Sequence, residues 1–137
     1  MKSHMIQCPI NRTFKLVGKK FSVLIIRNMI HLGHNRFNQF LQIEEINAKI
    51  LSARLKEMEQ DGLIQRTVYA ESPIRVEYAL TEKGRALEPI LDQMSAFSMK
   101  YCAKEIFKDG NARTPSQVYG SEFRANKAMT ASKPVSS

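Results

Sequence analysis

The chain has 137 residues, 43% hydrophobic and 25% charged, which is room for one domain with a real core and hardly for two. Its longest aliphatic run, Val23 to Ile26, is far short of the roughly 20 residues that span a bilayer, and the opening MKSHMIQCPINRTFK has no apolar stretch of signal-peptide type, so a cytoplasmic protein without a membrane partner is expected. The net charge of +8 and the pI near 9.7 instead favour a polyanionic partner. That charge is uneven: residues 1–43 carry Lys2, Arg12, Lys15, Lys19, Lys20, Arg27 and Arg36, and the first carboxylate is Glu44.

In chain order, Ile10 to Val17 fits a first helix that Gly18 ends. Lys19 to Leu32 has Phe21, Leu24, Ile25, Met29 and Leu32 at helical spacing, with Val23, Ile26 and Ile30 alongside, which predicts a largely buried central helix stopped by Gly33. Arg36 to Gln42 is a short third helix with Phe37, Phe40 and Leu41 in one stripe. The segment after it is the best defined. Asn47 is a good N-cap, Ile46 and Leu51 can form a hydrophobic staple, Leu51, Leu55 and Met58 repeat at helical spacing, and Gly62 closes the helix. LIQRTVYAESPIRVEYALT then reads as two strands around a break at Ser72-Pro73, a hairpin. Thr81 caps a long helix reaching Phe107, in which Pro89 is placed to introduce a bend. From Lys108 on, the chain is polar and aperiodic and reads as a flexible tail. There are no internal repeats.

Helices, a two-stranded hairpin and a closing helix, in that order, predict a mostly α (α+β) fold, a winged helix-turn-helix with an added C-terminal helix. Residues 1–7 form an N-terminal extension, 8–106 the DNA-binding and dimerisation domain, and 107–137 the tail. The closing helix is more apolar than a surface helix needs. Burying Leu87, Leu91, Met94, Phe97 and Tyr101 against a second copy makes a two-fold homodimer.

A helix-turn-helix lays its second helix in the major groove. At about 100° per residue, with Leu51 at the core centre, the outward face of that helix holds Lys49, Ser52, Ala53, Lys56 and Gln60, behind the cap Asn47. Its first charges, Lys49, Arg54 and Lys56, are positive and its last, Glu57, Glu59 and Asp61, are negative. The helix dipole prefers the reverse, so a negatively charged ligand near the N-terminal end accounts for the order better than local stability does. Ser52 and Ala53 allow close backbone approach, while Lys49 and Lys56 reach guanine edges or phosphates. Arg75 follows the hairpin tip, where an arginine suits phosphate or the minor groove; its alternative is a surface pair with Glu71 or Glu77. Arg36 is placed for a phosphate.

Double-stranded DNA is thus the expected partner, with a protein-interaction or dimerisation module without specific DNA binding as the alternative. Structured RNA is disfavoured by its narrow major groove. No phosphate loop, GxSxG, HExxH or isolated carboxylate pair is present, so neither an enzyme nor a cofactor is expected. His31, His34 and Cys8 lack the companions of a metal site. Cys8 lies near Arg12, Lys15 and Lys19 at a helix start, surroundings that favour thiolate; the alternative is a small half-buried hydrophobe. Cys102 reads as packing.

The runs CPI, LVGKKFSVLIIRNM, HNRFNQFLQI, LSARLKEMEQDGLIQRTVY and ESPIRVEYALTEKGRALEPIL, spread over about residues 8–106, resemble the HxlR-type family of winged-helix regulators. The resemblance implies a homodimer built on the first and last helices that binds pseudo-palindromic operators, with Asn47 to Asp61 as recognition helix and the hairpin around Pro73 as wing. It also implies a redox- or electrophile-sensing role for Cys8, which matches the cysteine of the family's Cys-Pro position, and hence an oxidant or small-molecule signal. Three departures stand out. Lys19-Lys20-Phe21 replaces a usual Gly-Lys-Trp, Glu44-Glu45 replaces a Pro-Gly turn, and Ile74 replaces the second proline of the wing.

Overall fold

The computed structural model describes residues 4–120, and its backbone falls into two units, one ending at Ala86 and the other beginning at Leu87. The first unit runs α1 (Pro9–Val17), α2 (Ser22–His31), α3 (Phe37–Phe40), α4 (Ala48–Gln60), β1 (Ile64–Tyr69), β2 (Arg75–Leu80) and α5 (Glu82–Arg85). This order is a winged helix-turn-helix, as the sequence predicts.

The core of this unit follows from the apolar periodicity. Ile25 and Ile26 of α2, Phe40 of α3, and Leu51, Leu55 and Met58 of α4 are buried, together with Ile43, Leu63, Ile64 and Tyr78. Burying each such side chain stabilises the fold by about 1.5–3 kcal/mol. Tyr78 meets the Phe40 ring edge-on at 6.3 Å, and its backbone N–H donates to the Asn35 carbonyl at 2.9 Å, so the loop after α2 supports the hairpin edge. The hairpin is antiparallel, with Ile64 opposite Leu80, Arg66 opposite Tyr78 and Tyr69 opposite Arg75. Side chains alternate across a strand, so Ile64, Arg66 and Val68 share the Tyr78 face and Gln65, Thr67 and Tyr69 share the other.

Helices α2 and α3 are shorter than the sequence reading predicts. Helix α2 begins at Ser22 rather than Lys19, because Phe21 adopts a left-handed conformation (φ 81°) that α-helix cannot continue. Helix α3 covers only Phe37–Phe40, and its entry is fixed by Gln39, whose side-chain oxygen accepts from the N–H groups of Asn35 (2.8 Å) and Arg36 (3.0 Å).

The second unit holds α6 (Glu88–Tyr101), α7 (Ala103–Ile106) and α8 (Pro115–Tyr119). The single helix expected from Thr81 to Phe107 is therefore three, α5, α6 and α7. Pro89 has no N–H for the carbonyl four residues back and sits instead in the first turn of α6, where none is needed. Cys102 leaves helical geometry (φ −120°, ψ 30°) and separates α6 from α7. The segment read as the start of a flexible tail also carries structure. Arg113 pairs with Asp109, lies over the Phe107 ring at 4.5 Å and donates its backbone N–H to the Met99 carbonyl at 3.2 Å, leading into α8. The rest of that tail, 121–137, and residues 1–3 of the N-terminal extension lie outside the described residues. No helix among the described residues is long and apolar enough to cross a membrane.

Candidate nucleic-acid interface

Helix α4 starts as the sequence predicts: the Asn47 side chain accepts from the Ile50 N–H at 2.8 Å. With Leu51, Leu55 and Met58 buried on one side, Lys49, Ser52, Ala53 and Lys56 stand together on the exposed side. Neither lysine has a hydrogen-bond or ion-pair partner among the described residues. Arg54 has a different task. Half-buried, it donates from Nε to the Lys20 carbonyl (3.1 Å) and lies 3.4 Å from Glu57, which Lys19 also meets at 2.9 Å. The first carboxylate of α4 is thus neutralised by two cations and the helix is tied to the turn before α2. Glu45, at φ 69°, pairs with Lys20 at 3.1 Å, so the acidic turn preceding α4 also meets a cation from that same turn. The exposed outer face at the start of α4 is left positively charged.

The hairpin tip is organised differently. Arg75 holds Glu71 with two hydrogen bonds (3.0 and 3.2 Å), reaches the Glu77 carboxylate with a third nitrogen, and lies over the Tyr69 ring at 4.0 Å. The hydrogen bond from Arg75 holds the Glu71 carboxyl below the usual carboxylate range, and Glu71 in turn raises the Arg75 guanidinium. Arg75, expected at this tip as a DNA contact or as a partner of Glu71 or Glu77, pairs with both carboxylates within the hairpin. Arg36, at the entry to α3, has one guanidinium nitrogen 3.7 Å from Glu77 while its side chain stays about half exposed. Arg66 of β1, which sequence reasoning passed over, is exposed and has no partner among the described residues. The alternation of LIQRTVY places it on the Ile64 face, whereas the pairing of Arg75 with Glu71 and Glu77 depends on distances across the hairpin that spacing does not give.

Of the residues expected at a dimer interface, Met94, Phe97 and Tyr101 lie exposed on one stripe of α6, joined by Ile90, with the Phe97 and Tyr101 rings 5.2 Å apart. Leu91 is half-buried. Leu87 is a correction: it keeps helical register, its carbonyl accepting from the Leu91 N–H at 3.1 Å, but at 6% exposure it is already buried within the single chain and has little surface left for a second copy. Helix α1 buries no residue at all; Ile10 (81% exposed) and Phe14 (64%) form a second apolar face. Cys8 stands at the N-cap position of α1 without a side-chain capping hydrogen bond and is half-buried, and Cys102 is half-buried as well. Among the described residues, no three His, Cys, Asp or Glu side chains converge on a point where a metal ion could sit.

Residues 16–106 match the model of the HxlR-like helix-turn-helix family. Over 95 residues the chain is 39% identical to the HTH-type transcriptional regulator YdeP of Bacillus subtilis, a match covering 69% of this chain and 73% of YdeP. The reduced form of the transcriptional regulator YodB from B. subtilis superposes with a TM-score of 0.61 at 37% identity, covering 71% of this chain and 96% of YodB. The redox regulator HypR in its oxidised form gives a TM-score of 0.61 at 40% identity, over 66% of this chain and 94% of HypR.

Proposed function

This chain belongs to the HxlR-like helix-turn-helix family and is a transcriptional regulator of helix-turn-helix type, and from that premise we propose that it binds operator DNA sequence-specifically as a homodimer. The observation that carries this reading is the outer face of α4, where Lys49 and Lys56 are exposed without partners around the small Ser52 and Ala53. In the proposed complex this face enters the major groove. Lys49 and Lys56 meet base edges or phosphates, Asn47 sets the helix start, and Arg36 meets a flanking phosphate. Residues 8–106 serve as the working domain, with 107–137 appended to it.

Two copies joined through the α1 and α6 apolar faces would present two such helices. Operator half-sites must then lie about 34 Å apart, one helical turn of DNA. The test is fluorescence anisotropy with duplex from the region upstream of the chain's own gene and with a scrambled duplex, over a salt series. The expected result is tighter binding to the upstream duplex and a log–log salt slope steeper than about −2. Equal binding to both duplexes would contradict the specific reading, and no binding would favour a protein-interaction module.

A redox signal through Cys8 is the finer part of the proposal. It is supported by the half-buried position of Cys8 at the base of α1, next to the exposed Ile10 face proposed for dimerisation, and by the likeness to HypR, itself a redox regulator. Diamide takes two electrons from two thiols, here the Cys8 thiols of the two copies in the proposed dimer, forming one disulfide and the corresponding hydrazine, and a link there would change how α1 seats on its partner. Diamide should therefore shift DNA affinity of wild type and Cys102→Ser but leave Cys8→Ser unchanged. A Cys8→Ser protein that responds like wild type would reduce Cys8 to packing.

A further inference from the structure

Resting on the DNA-binding reading above, we propose that Arg66 of β1, rather than Arg75 at the tip, is the wing side chain that meets the DNA phosphate backbone, and that Arg75 braces the hairpin. Arg75 is poorly placed to serve a phosphate. Its fork already faces Glu71 at 3.0 and 3.2 Å, a third nitrogen is on Glu77, and its flat face covers Tyr69 at 4.0 Å. A phosphate taking Arg75 must displace carboxylates that already match the guanidinium geometry, and would leave Glu71 and Glu77 as unpaired negative charges beside the DNA. With Arg36 near Glu77 at 3.7 Å, the tip holds two cations and two carboxylates and is locally neutral.

Arg66 is the opposite case. It is exposed, no carboxylate accepts from it among the described residues, and on its sheet face it lies opposite Tyr78, between Ile64 and Val68 of its own strand, with no acidic residue among these neighbours. Nothing on that face competes with a phosphate for the guanidinium, and its side-chain direction is set by the strand pleat rather than by a turn. The face is also the one that turns toward the helices: Ile64 and Tyr78 on it are buried, and Tyr78 packs on Phe40 of α3. Arg66 therefore stands where the hairpin leaves the core, on the side of the helix-turn-helix.

The experiment measures anisotropy of full-length wild type, Arg66→Ala, Arg66→Gln, Arg66→Lys and Arg75→Ala on upstream and scrambled duplexes across a salt series, with thermal melting as the folding control. Arg66→Ala and Arg66→Gln should weaken both duplexes alike and lower the log–log salt slope by about one unit per bound subunit. Arg66→Lys, which keeps the charge, should retain the slope, and Arg75→Ala should leave it unchanged. An unchanged slope in folded Arg66→Ala and Arg66→Gln, or a slope lost in Arg75→Ala instead, overturns this inference while leaving the DNA reading intact. Wild type that binds neither duplex at any salt removes the DNA reading and this inference with it.

Discussion

Gly84, in α5, sits against the Leu63 carbonyl so closely that a Cβ there would stand 2.0 Å from its oxygen. The same carbonyl accepts from the Thr81 N–H at 3.0 Å, while Thr81 Oγ1 donates to the Gly62 carbonyl and accepts from the Gly84 N–H. This knot joins the end of β2 to the start of β1, so Gly84→Ala should cost about 1–3 kcal/mol and lower the melting temperature by several degrees. An unchanged melting curve would mean that the α5 turn is free to move away. The brace at the hairpin tip has its own signature. Because Arg75 lowers the Glu71 pKa, the pairing is complete above the ordinary carboxylate range and is lost only as pH falls through the lowered value. An NMR titration of Glu71 should show a midpoint below that of a free glutamate, and Arg75→Ala should return it to the normal range. At this scale the sequence was legible in part. It offered Arg75 either DNA or Glu71 and Glu77, and the choice rests on distances across the hairpin that residue spacing does not specify.

Among the elements, α4 was the most legible because cap, apolar period and closing glycine all agree: Asn47 to Asp61 expected, Ala48–Gln60 found with Asn47 capping. Asn47→Ala should remove one hydrogen bond to the first turn, cost about 1 kcal/mol of stability, and weaken DNA binding by loosening the start of that helix. Circular dichroism melting alongside anisotropy separates the two effects. The stretch after Thr81 was the least legible. Its apolar residues continue in helical register across Ala86-Leu87 and Cys102, so periodicity alone joined three helices that Pro89 and the Cys102 backbone separate. Helix α8 was passed over for another reason. Its signal is local, Thr114 before Pro115 with Gln117 three residues on, and the two side chains do cap each other's N–H groups at 3.3 and 2.8 Å. One turn of helix is too short for periodicity to register.

For the molecule as a whole, each unit carries an apolar face that the single chain leaves exposed, Ile10 and Phe14 of α1 in one and Ile90, Met94, Phe97 and Tyr101 of α6 in the other. At about 1.5–3 kcal/mol per large side chain, covering these faces outweighs much of the entropic cost of association. Light scattering at micromolar concentration should give twice the 15.7 kDa chain mass, and Phe97→Asp should shift the population toward 15.7 kDa. A wild-type mass of one chain, or a Phe97→Asp mass identical to wild type, would contradict the α6 interface. Whether the outer face of α4 reads DNA sequence is decided by the ratio of upstream to scrambled affinity in Lys49→Ala and Lys56→Ala. If these lysines touch base edges, each substitution should cost on the order of 1–3 kcal/mol on the upstream duplex and less on the scrambled one, shrinking the ratio. A ratio equal to that of wild type in both variants would show that this face does not read sequence.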